Sequence, residues 1–249
     1  MKKKALFAVL AAAVMLTACS GKPGSEMDSG NPSGVQESPA AEGAGTDALP
    51  ETETEADNEE GEEEPEAGIG DGYVKGTVTD TGWESEYLGM RYIMPEGMLM
   101  ATEEELNQVM GLGAEILSGD INELQMEYAR MRTVYEMMST DATGATNVVL
   151  TVEKLLFSNM DAEQYVQSLE QGLKKMSAIS YTVLSDDETV EIAGMDYIKV
   201  SVQAQSGDVA VNQDYYVRVA DGRAVSFVIT SQEETAQQAE AVLNAFTAY

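Results

Sequence analysis

Few of the side chains that usually carry enzyme chemistry occur in this sequence of 249 residues. It contains no histidine and a single cysteine, Cys19. The missing histidine excludes Ser-His-Asp hydrolase sites, Cys-His dyads and histidine-based zinc sites. The lone cysteine has no disulfide partner within the chain. Carboxylate, lysine, tyrosine and serine are therefore the groups left for catalysis.

The residues before Cys19 have the layout of a secretory signal. The positive segment Lys2–Lys4 precedes an uncharged apolar run from Ala5 to Leu16. That run is shorter than the roughly 20 apolar residues of a spanning helix. The stretch Leu16-Thr17-Ala18-Cys19 resembles the bacterial lipobox, in which the thiol receives a diacylglyceryl group and the chain is cut just before the cysteine.

This resemblance implies that residues 1–18 are a lipoprotein signal peptide and that Cys19 is the lipid attachment site. One acyl chain holds a protein only marginally on a bilayer, whereas two chains anchor it stably. We therefore expect Cys19 to be a membrane tether on the extracytoplasmic face of the cell membrane. It is expected to be neither a catalyst nor a metal ligand.

Residues 19–72 have the composition of a disordered linker. The segment from Ser20 to Asp71 has no aromatic residue and contains sixteen acidic residues against one lysine, Lys22. Such a chain cannot bury enough apolar surface to offset its conformational entropy. Calcium binding is an alternative, but a calcium site gathers six to eight oxygens around one point and no such loop motif is present. The linker is expected to hold the following domain away from the membrane.

Residues 73–249 are expected to form one folded domain. Every aromatic residue except Phe7 lies in this block, which carries twenty-eight acidic and ten basic residues. Nucleic-acid binding requires a basic face, so this charge argues against nucleic acid as a partner, and it also argues against a domain that lies flat on an anionic membrane. The partner is expected to be an envelope protein or a small ligand.

Alternating hydrophobicity predicts strands joined by short turns. A hairpin is predicted over 81–94, around Leu88-Gly89, and a second pair over 134–140 and 147–155. Four further strands are predicted near 188–192, 195–205, 209–220 and 223–230. Their turns are expected at Ala193-Gly194, Ser206-Gly207-Asp208 and Asp221-Gly222.

Capping boxes predict the helices. The patterns Thr102-x-x-Glu105, Asp120-x-x-Glu123 and Asp161-x-x-Gln164 each precede apolar residues at helical spacing. Ser231-x-x-Glu234 predicts a terminal helix that carries Val242 and Phe246. Short turns make neighbouring strands antiparallel, and helices with one apolar stripe must pack on the sheet. The fold class is therefore α+β.

The strand pair WESEYLGMRYIMPEG at 83–97, followed by helices, a meander and a C-terminal helix, resembles the PsbP-like fold. That fold occurs in photosystem II extrinsic proteins and in small lipoproteins, including uncharacterised ones of anaerobic Gram-positive bacteria. The resemblance covers 81–249 and implies an antiparallel sheet covered by helices, an α/β/α sandwich. It carries over no functional residue, because fold alone does not assign function.

Three groups of side chains are candidates for chemistry. Met98-x-Met100 could offer two thioethers to Cu(I), although methionine more often fills irregular cores. The carboxylate groups Asp186-Asp187 and Glu103–Glu105 could supply a glycosidase pair, although acids at a helix start are usually solvated. In Tyr215-Tyr216 one ring must point away from the other, and the outward ring could stack on a sugar or peptide, although a strand aromatic is more often partly buried in its sheet.

These observations favour a non-catalytic, lipid-anchored binding or accessory module of the cell envelope. We expect no catalytic residue, no cofactor and no metal. A small carboxylate-dependent envelope hydrolase is the first alternative, and a solute-binding lipoprotein is the second.

Overall fold

The structure is a computed structural model that describes residues 72–109, 131–177 and 179–249; Asp186 and Asp187 are described by their backbone alone. Its strands are β1 (Thr77–Thr79), β2 (Gly82–Ser85), β3 (Met90–Ile93), β4 (Met98–Met100), β5 (Thr133–Asp141), β6 (Asn147–Lys154), β7 (Ser180–Ile192), β8 (Met195–Ser206), β9 (Val209–Ala220), β10 (Arg223–Ser231) and β11 (Phe246–Ala248). The helical segments are α1 (103–109), α2 (Ala162–Lys175) and α3 (Ala236–Asn244).

The strands form two antiparallel sheets. The large sheet has the order β4-β5-β6-β10-β9-β8-β7, and the small sheet has the order β1-β2-β3-β11. The predicted α+β class is confirmed, since helices accompany these sheets. The predicted hairpin over 81–94 is confirmed as β2 and β3 of the small sheet. The strands β1, β4 and β11 were not predicted, because each is only three residues long and shows no measurable alternation.

Each predicted hairpin joint of the large sheet is confirmed. Ala193 and Gly194 have φ of 53° and 78°, and Asp221 and Gly222 have φ of 51° and 69°. Two consecutive residues of positive φ reverse the chain with the twist that a two-residue hairpin needs. Strand β7 begins at Ser180, earlier than the predicted start at 188, and β-bulges between 183 and 188 interrupt the alternation that would have revealed it.

Two of the predicted capping boxes are confirmed by their hydrogen bonds. The Gln164 backbone N–H donates to Asp161 Oδ1 at 2.8 Å, and the Asp161 N–H donates to Gln164 Oε1 at 3.2 Å. Thr102 and Glu105 make the equivalent pair at the start of α1. The predicted Asp120 helix lies outside the described residues.

The predicted end of the chain is partly wrong. Ser231 is the last residue of β10 and does not cap a helix. A 3-10 turn at Glu233–Thr235 precedes α3, and Phe246 lies in β11, where it pairs with Tyr92 of β3. Pairing with a distant strand decides this assignment, so helical spacing could not reveal it.

The core has two parts, one on each face of the large sheet. On one face, the α2 residues Tyr165, Leu169 and Leu173 are buried in a cluster that includes Val200 and Val202. On the other face, the small sheet and α3 pack against the large sheet. The buried residues of that second cluster include Trp83, Met90, Tyr92, Tyr197, Phe227, Val242 and Phe246.

Candidate functional site

A groove lies on the second face of the large sheet, beside α3. Strands β8, β9 and β10 supply one side of the groove, and α3 supplies the other. Its volume is about 340 Å³. The residues that line it are Leu184, Lys199, Ser201, Val202, Asn212, Asp214, Tyr216, Ile229, Ser231, Ala236, Ala239, Glu240 and Leu243.

Strand register brings the polar residues of the groove together. Lys199 pairs with Tyr216 and Ser201 pairs with Asp214 across β8 and β9. Residues two apart on a strand share one face, so Lys199 and Ser201 project to the same side of the sheet. The cluster combines residues from two strands, so the sequence of either strand alone does not reveal it.

Asp214 is the centre of the polar cluster. Its Oδ1 accepts a hydrogen bond from the Ser201 hydroxyl at 2.5 Å, and its Oδ2 lies 3.4 Å from Lys199 Nζ. Lys199 Nζ also lies 5.7 Å from the centroid of the Tyr216 ring, within the range of a cation–π contact. The lysine charge is thus compensated from two sides.

The Tyr216 ring is buried, and its hydroxyl is held in the protonated form. Burial raises the pKa of Tyr216, and the negative charges of Asp214 and Glu188 raise it further. The hydroxyl of a protonated tyrosine can donate or accept a hydrogen bond, but it is not a base at neutral pH.

The arrangement is suited to recognition. The Ser201 hydroxyl donates to the Asp214 carboxylate, and Lys199 is paired with that same carboxylate, so the three side chains form one cluster of fixed polar groups. Apolar side chains such as Leu243 and Ile229 surround these polar groups. Apolar lining with a few fixed polar groups is typical of small-molecule sites.

The methionine candidates pack in the core. Met98 is buried, and its sulfur accepts a hydrogen bond from Gln238 Nε2 at 3.3 Å. Met100 is partly buried against the same cluster. No group of three or more His, Cys, Asp or Glu side chains is arranged to hold a metal within the described ranges.

The carboxylate candidates do not meet in one described site. Glu103–Glu105 are exposed at the start of α1, where Glu105 completes the capping box. Asp186 and Asp187 lie in β7 between Ser185 and Glu188, where the register shifts. Cys19, the predicted lipid site, lies outside the described residues.

The opposite orientation predicted for Tyr215 and Tyr216 is confirmed, and their packing in the sheet agrees with the alternative to ligand stacking. Tyr215 and Tyr216 do point to opposite faces, but both rings are buried because each face of β9 is covered. Tyr216 therefore lines the groove instead of offering an exposed ring. Sequence reasoning missed Lys199, Ser201, Asp214 and Glu240, for which the available signal was the polar alternation along β8 and β9.

A second polar cluster joins the start of the described chain to the large sheet. Glu136 is 1% exposed, and its carboxylate accepts hydrogen bonds from the Tyr73 hydroxyl and from the Gly76 N–H at 2.8 Å. A Cβ at Gly76 would lie 2.5 Å from Trp83 Nε1, so only glycine allows this approach. Burial raises the pKa of Glu136, and the two hydrogen bonds oppose that shift in part.

Glu136→Gln should change how stability depends on pH. The folded state raises the pKa of Glu136. The stability that this group contributes to the fold is therefore fully present below about pH 4, near the ordinary Glu pKa, and is lost as pH rises through the pKa of the folded state. The variant cannot ionise at this position, so its free energy of unfolding should increase relative to that of the wild type as pH rises. Urea unfolding across pH measures this difference. The exposed control Glu84→Gln should follow the wild type, and a parallel profile for Glu136→Gln would contradict the prediction.

Comparison with known proteins gives structural likenesses and no family. No family model and no curated protein matches the chain. It is similar to cyanobacterial PsbP (CyanoP) from Synechocystis sp. PCC 6803, with 12% identity and a TM-score of 0.40 over 72% of this chain and 100% of that chain. A structure from Bacteroides thetaiotaomicron has 10% identity and a TM-score of 0.37 over 70% of this chain and 48% of that chain.

A third similar structure is LpqN, which is involved in cell envelope biogenesis of Mycobacterium tuberculosis. It has 10% identity and a TM-score of 0.35 over 64% of this chain and 82% of that chain. Likenesses at these scores assign no ligand, partner or activity to this chain. Within the described residues, no helix has the length and apolar character needed to span a bilayer.

Proposed function

We propose that this protein is a lipid-anchored module of the cell envelope that binds a ligand without transforming it. In this proposal Cys19 carries the lipid, residues 19–72 form an acidic spacer, and residues 73–249 form a PsbP-like α/β/α domain that presents the groove. The support for the anchor is the signal layout and the lipobox resemblance in the sequence.

The observation that carries the binding function is the groove beside α3. Its volume of about 340 Å³ lies in the range of small-molecule sites. Its two partly buried charges are paired with each other, since Lys199 lies 3.4 Å from Asp214, which also accepts from Ser201, and the third charged residue, Glu240, is exposed to solvent. A ligand can therefore meet fixed dipoles and apolar walls without leaving an isolated buried charge, which would be costly.

The hydrolase alternative has one observation in its favour. Asp214 and Glu240 line the same groove, one on β9 and the other on α3. Two carboxylates across a cleft are what glycoside hydrolysis requires. Asp214 is engaged by Ser201 and Lys199, however, so the groove supports binding better than acid–base chemistry. A solute-binding lipoprotein would use the same groove and is one form of the proposed function.

Filling the groove should abolish ligand binding. The purified full chain is heated with free amino acids, dipeptides and small oligosaccharides, and we expect at least one class to raise Tm. Saturation near 100 Kd adds about 2.7 kcal/mol, which corresponds to roughly 5–10 °C for a domain of this size. Ala239→Phe should remove the shift, because Ala239 lines the groove.

The matched control is Ala241→Phe, which lies on the same helix at an exposed position outside the groove. It should retain the shift, and the ligand should be recovered unchanged. A product that Asp214→Asn or Glu240→Gln abolishes would favour the hydrolase. Absence of any shift across the panel would contradict a small-ligand groove.

A further inference from the structure

One end of the large sheet gathers the start of the described domain and several loops. At this end, the Lys154 N–H donates to the Arg132 carbonyl at 2.8 Å, and the Leu155 N–H donates to the Gly222 carbonyl at 2.9 Å. The Arg223 guanidinium carbon lies 5.7 Å from the Tyr73 ring centroid, which fixes the start of the domain here. We name this surface the tether end and define it by residues 73–75, 131–132, 154–157 and 218–223.

The tether end exposes large apolar side chains. Leu156 and Phe157 are 49% and 47% exposed in the loop between β6 and α2, and Met131 is 53% exposed just before β5. Val74, next to the first described aromatic residue, is 65% exposed. A hydrogen bond from the Met160 N–H to the Phe157 carbonyl, at 3.1 Å, closes the loop into a turn. The Phe157 side chain is therefore presented from a hydrogen-bonded turn.

The same end concentrates the few cations of an acidic domain. Of the nine Lys and Arg residues in the described ranges, five lie here. Arg132 is buried and Arg223 stacks on tyrosine rings, whereas Lys154 and Lys75 are exposed and Arg218 is half-buried. The five are Lys75, Arg132, Lys154, Arg218 and Arg223. The acids that accompany them include Asp221, Glu153, which directly precedes Lys154, and Glu136, which accepts from Tyr73.

We propose that the tether end contacts the anionic lipid surface of the membrane, which departs from the expectation that the linker holds the domain away from it. The proposal takes its location from the lipid anchor of the proposed function, because the segment from Cys19 joins the domain at Tyr73. With twenty-eight acids against ten bases, the domain as a whole is repelled by anionic lipid. The end that gathers five of the nine described cations is therefore the one turned toward the bilayer. Apolar and aromatic tips flanked by cations are the chemistry of an interfacial contact.

This orientation directs the groove away from the bilayer. Asn212 and Ser231, which pair across β9 and β10, lie toward the opposite end of the large sheet and line the groove. A domain that stands on its tether end therefore offers the groove to molecules arriving from outside.

Bromolipid quenching of a single added tryptophan tests the contact. Phe157→Trp and Leu99→Trp are made in the full chain, since Leu99 is 56% exposed at the opposite end of the sheet, beside the β5–β6 turn. Each purified protein is reconstituted in vesicles of brominated phosphatidylcholine with phosphatidylglycerol. We expect most of the added fluorescence to be lost at position 157 and to persist at position 99. The only native tryptophan, Trp83, is 1% exposed and gives a constant background.

Charge reversal supplies the second arm. Lys154→Glu with Arg218→Glu should restore fluorescence at position 157, whereas Lys174→Glu with Lys175→Glu, at the last turn of α2, should leave it quenched. Flotation with neutral vesicles tests the lipid anchor separately. A protein that does not float would contradict the anchor but not the contact between the tether end and anionic lipid. For such a protein, quenching at position 157 by anionic vesicles at low salt still tests whether the tether end contacts lipid. Equal quenching at positions 157 and 99, or none at 157, would overturn the proposal, as would protection of position 157 by a bound protein.

Discussion

Gly82→Ala should destabilise the domain by roughly 3–5 kcal/mol, since overpacking and backbone strain add at one position. Gly82 has φ of 153°, and a Cβ built there would lie 1.9 Å from the Tyr92 carbonyl oxygen. That oxygen belongs to the backbone of β3, which pairs with β2 through Trp83 and Tyr92. The clash can be relieved only by separating these strands, which carry buried core residues.

Gly89→Ala is the matched control for this expectation. Gly89 also has a positive φ, 66°, but a Cβ there meets nothing within 4 Å. It should cost about 1 kcal/mol, the ordinary penalty for an L-residue in this conformation. Urea unfolding of the purified variants measures both values. Equal destabilisation by the two changes would show that strand contact at Gly82 does not matter.

Asp141→Ala should cost about 3 kcal/mol at neutral pH, because one carboxylate organises the whole β5–β6 turn. Asp141 Oδ1 accepts from the backbone N–H groups of Thr143, Gly144 and Ala145 at 2.7, 2.5 and 3.1 Å. Oδ2 accepts from the Thr146 N–H at 3.0 Å. Alanine leaves these donors without their acceptor in a turn that includes buried positions.

The cost should become smaller in acid. Burial opposes the charge of Asp141, but the hydrogen bonds from Thr143, Ala145 and Thr146 outweigh it and lower the pKa of this carboxyl. A lowered folded pKa stabilises above the ordinary Asp value of about 3.9 and is lost as pH falls through the folded value. The difference in unfolding free energy between wild type and Asp141→Ala should therefore shrink below about pH 4. Asp141→Asn, which keeps one acceptor oxygen, should cost less, and a pH-independent difference would contradict this account.

Local signals in the sequence predicted the elements whose cause is local. Asp161 caps α2 through atoms three residues away, and Asp221-Gly222 reverses the chain through its own backbone angles. Such features depend on neighbouring residues only, so a single sequence carries them. The turn at 141–144 was predicted for the same reason, although the number of bonds that Asp141 accepts was not.

The candidate site was not predictable in the same way. Ser201 and Asp214 meet because β8 and β9 pair in one register, and Glu240 joins them because α3 packs on that face. Phe246 is a strand residue because β3 is available to pair with it. Each of these contacts is decided by segments distant in the chain, whose partners no local pattern identifies.

Two conclusions came from the sequence alone: which catalytic side chains the protein lacks, and that its first residues predict export. Absent histidine removes whole classes of catalyst, and the segment before Cys19 predicts export and lipidation without reference to any fold. Only the tertiary structure decided which side chains converge, since convergence depends on strand register and on which face each layer covers. The groove beside α3 and the cations at the tether end are consequences of packing, and therefore appear only when the chain is folded.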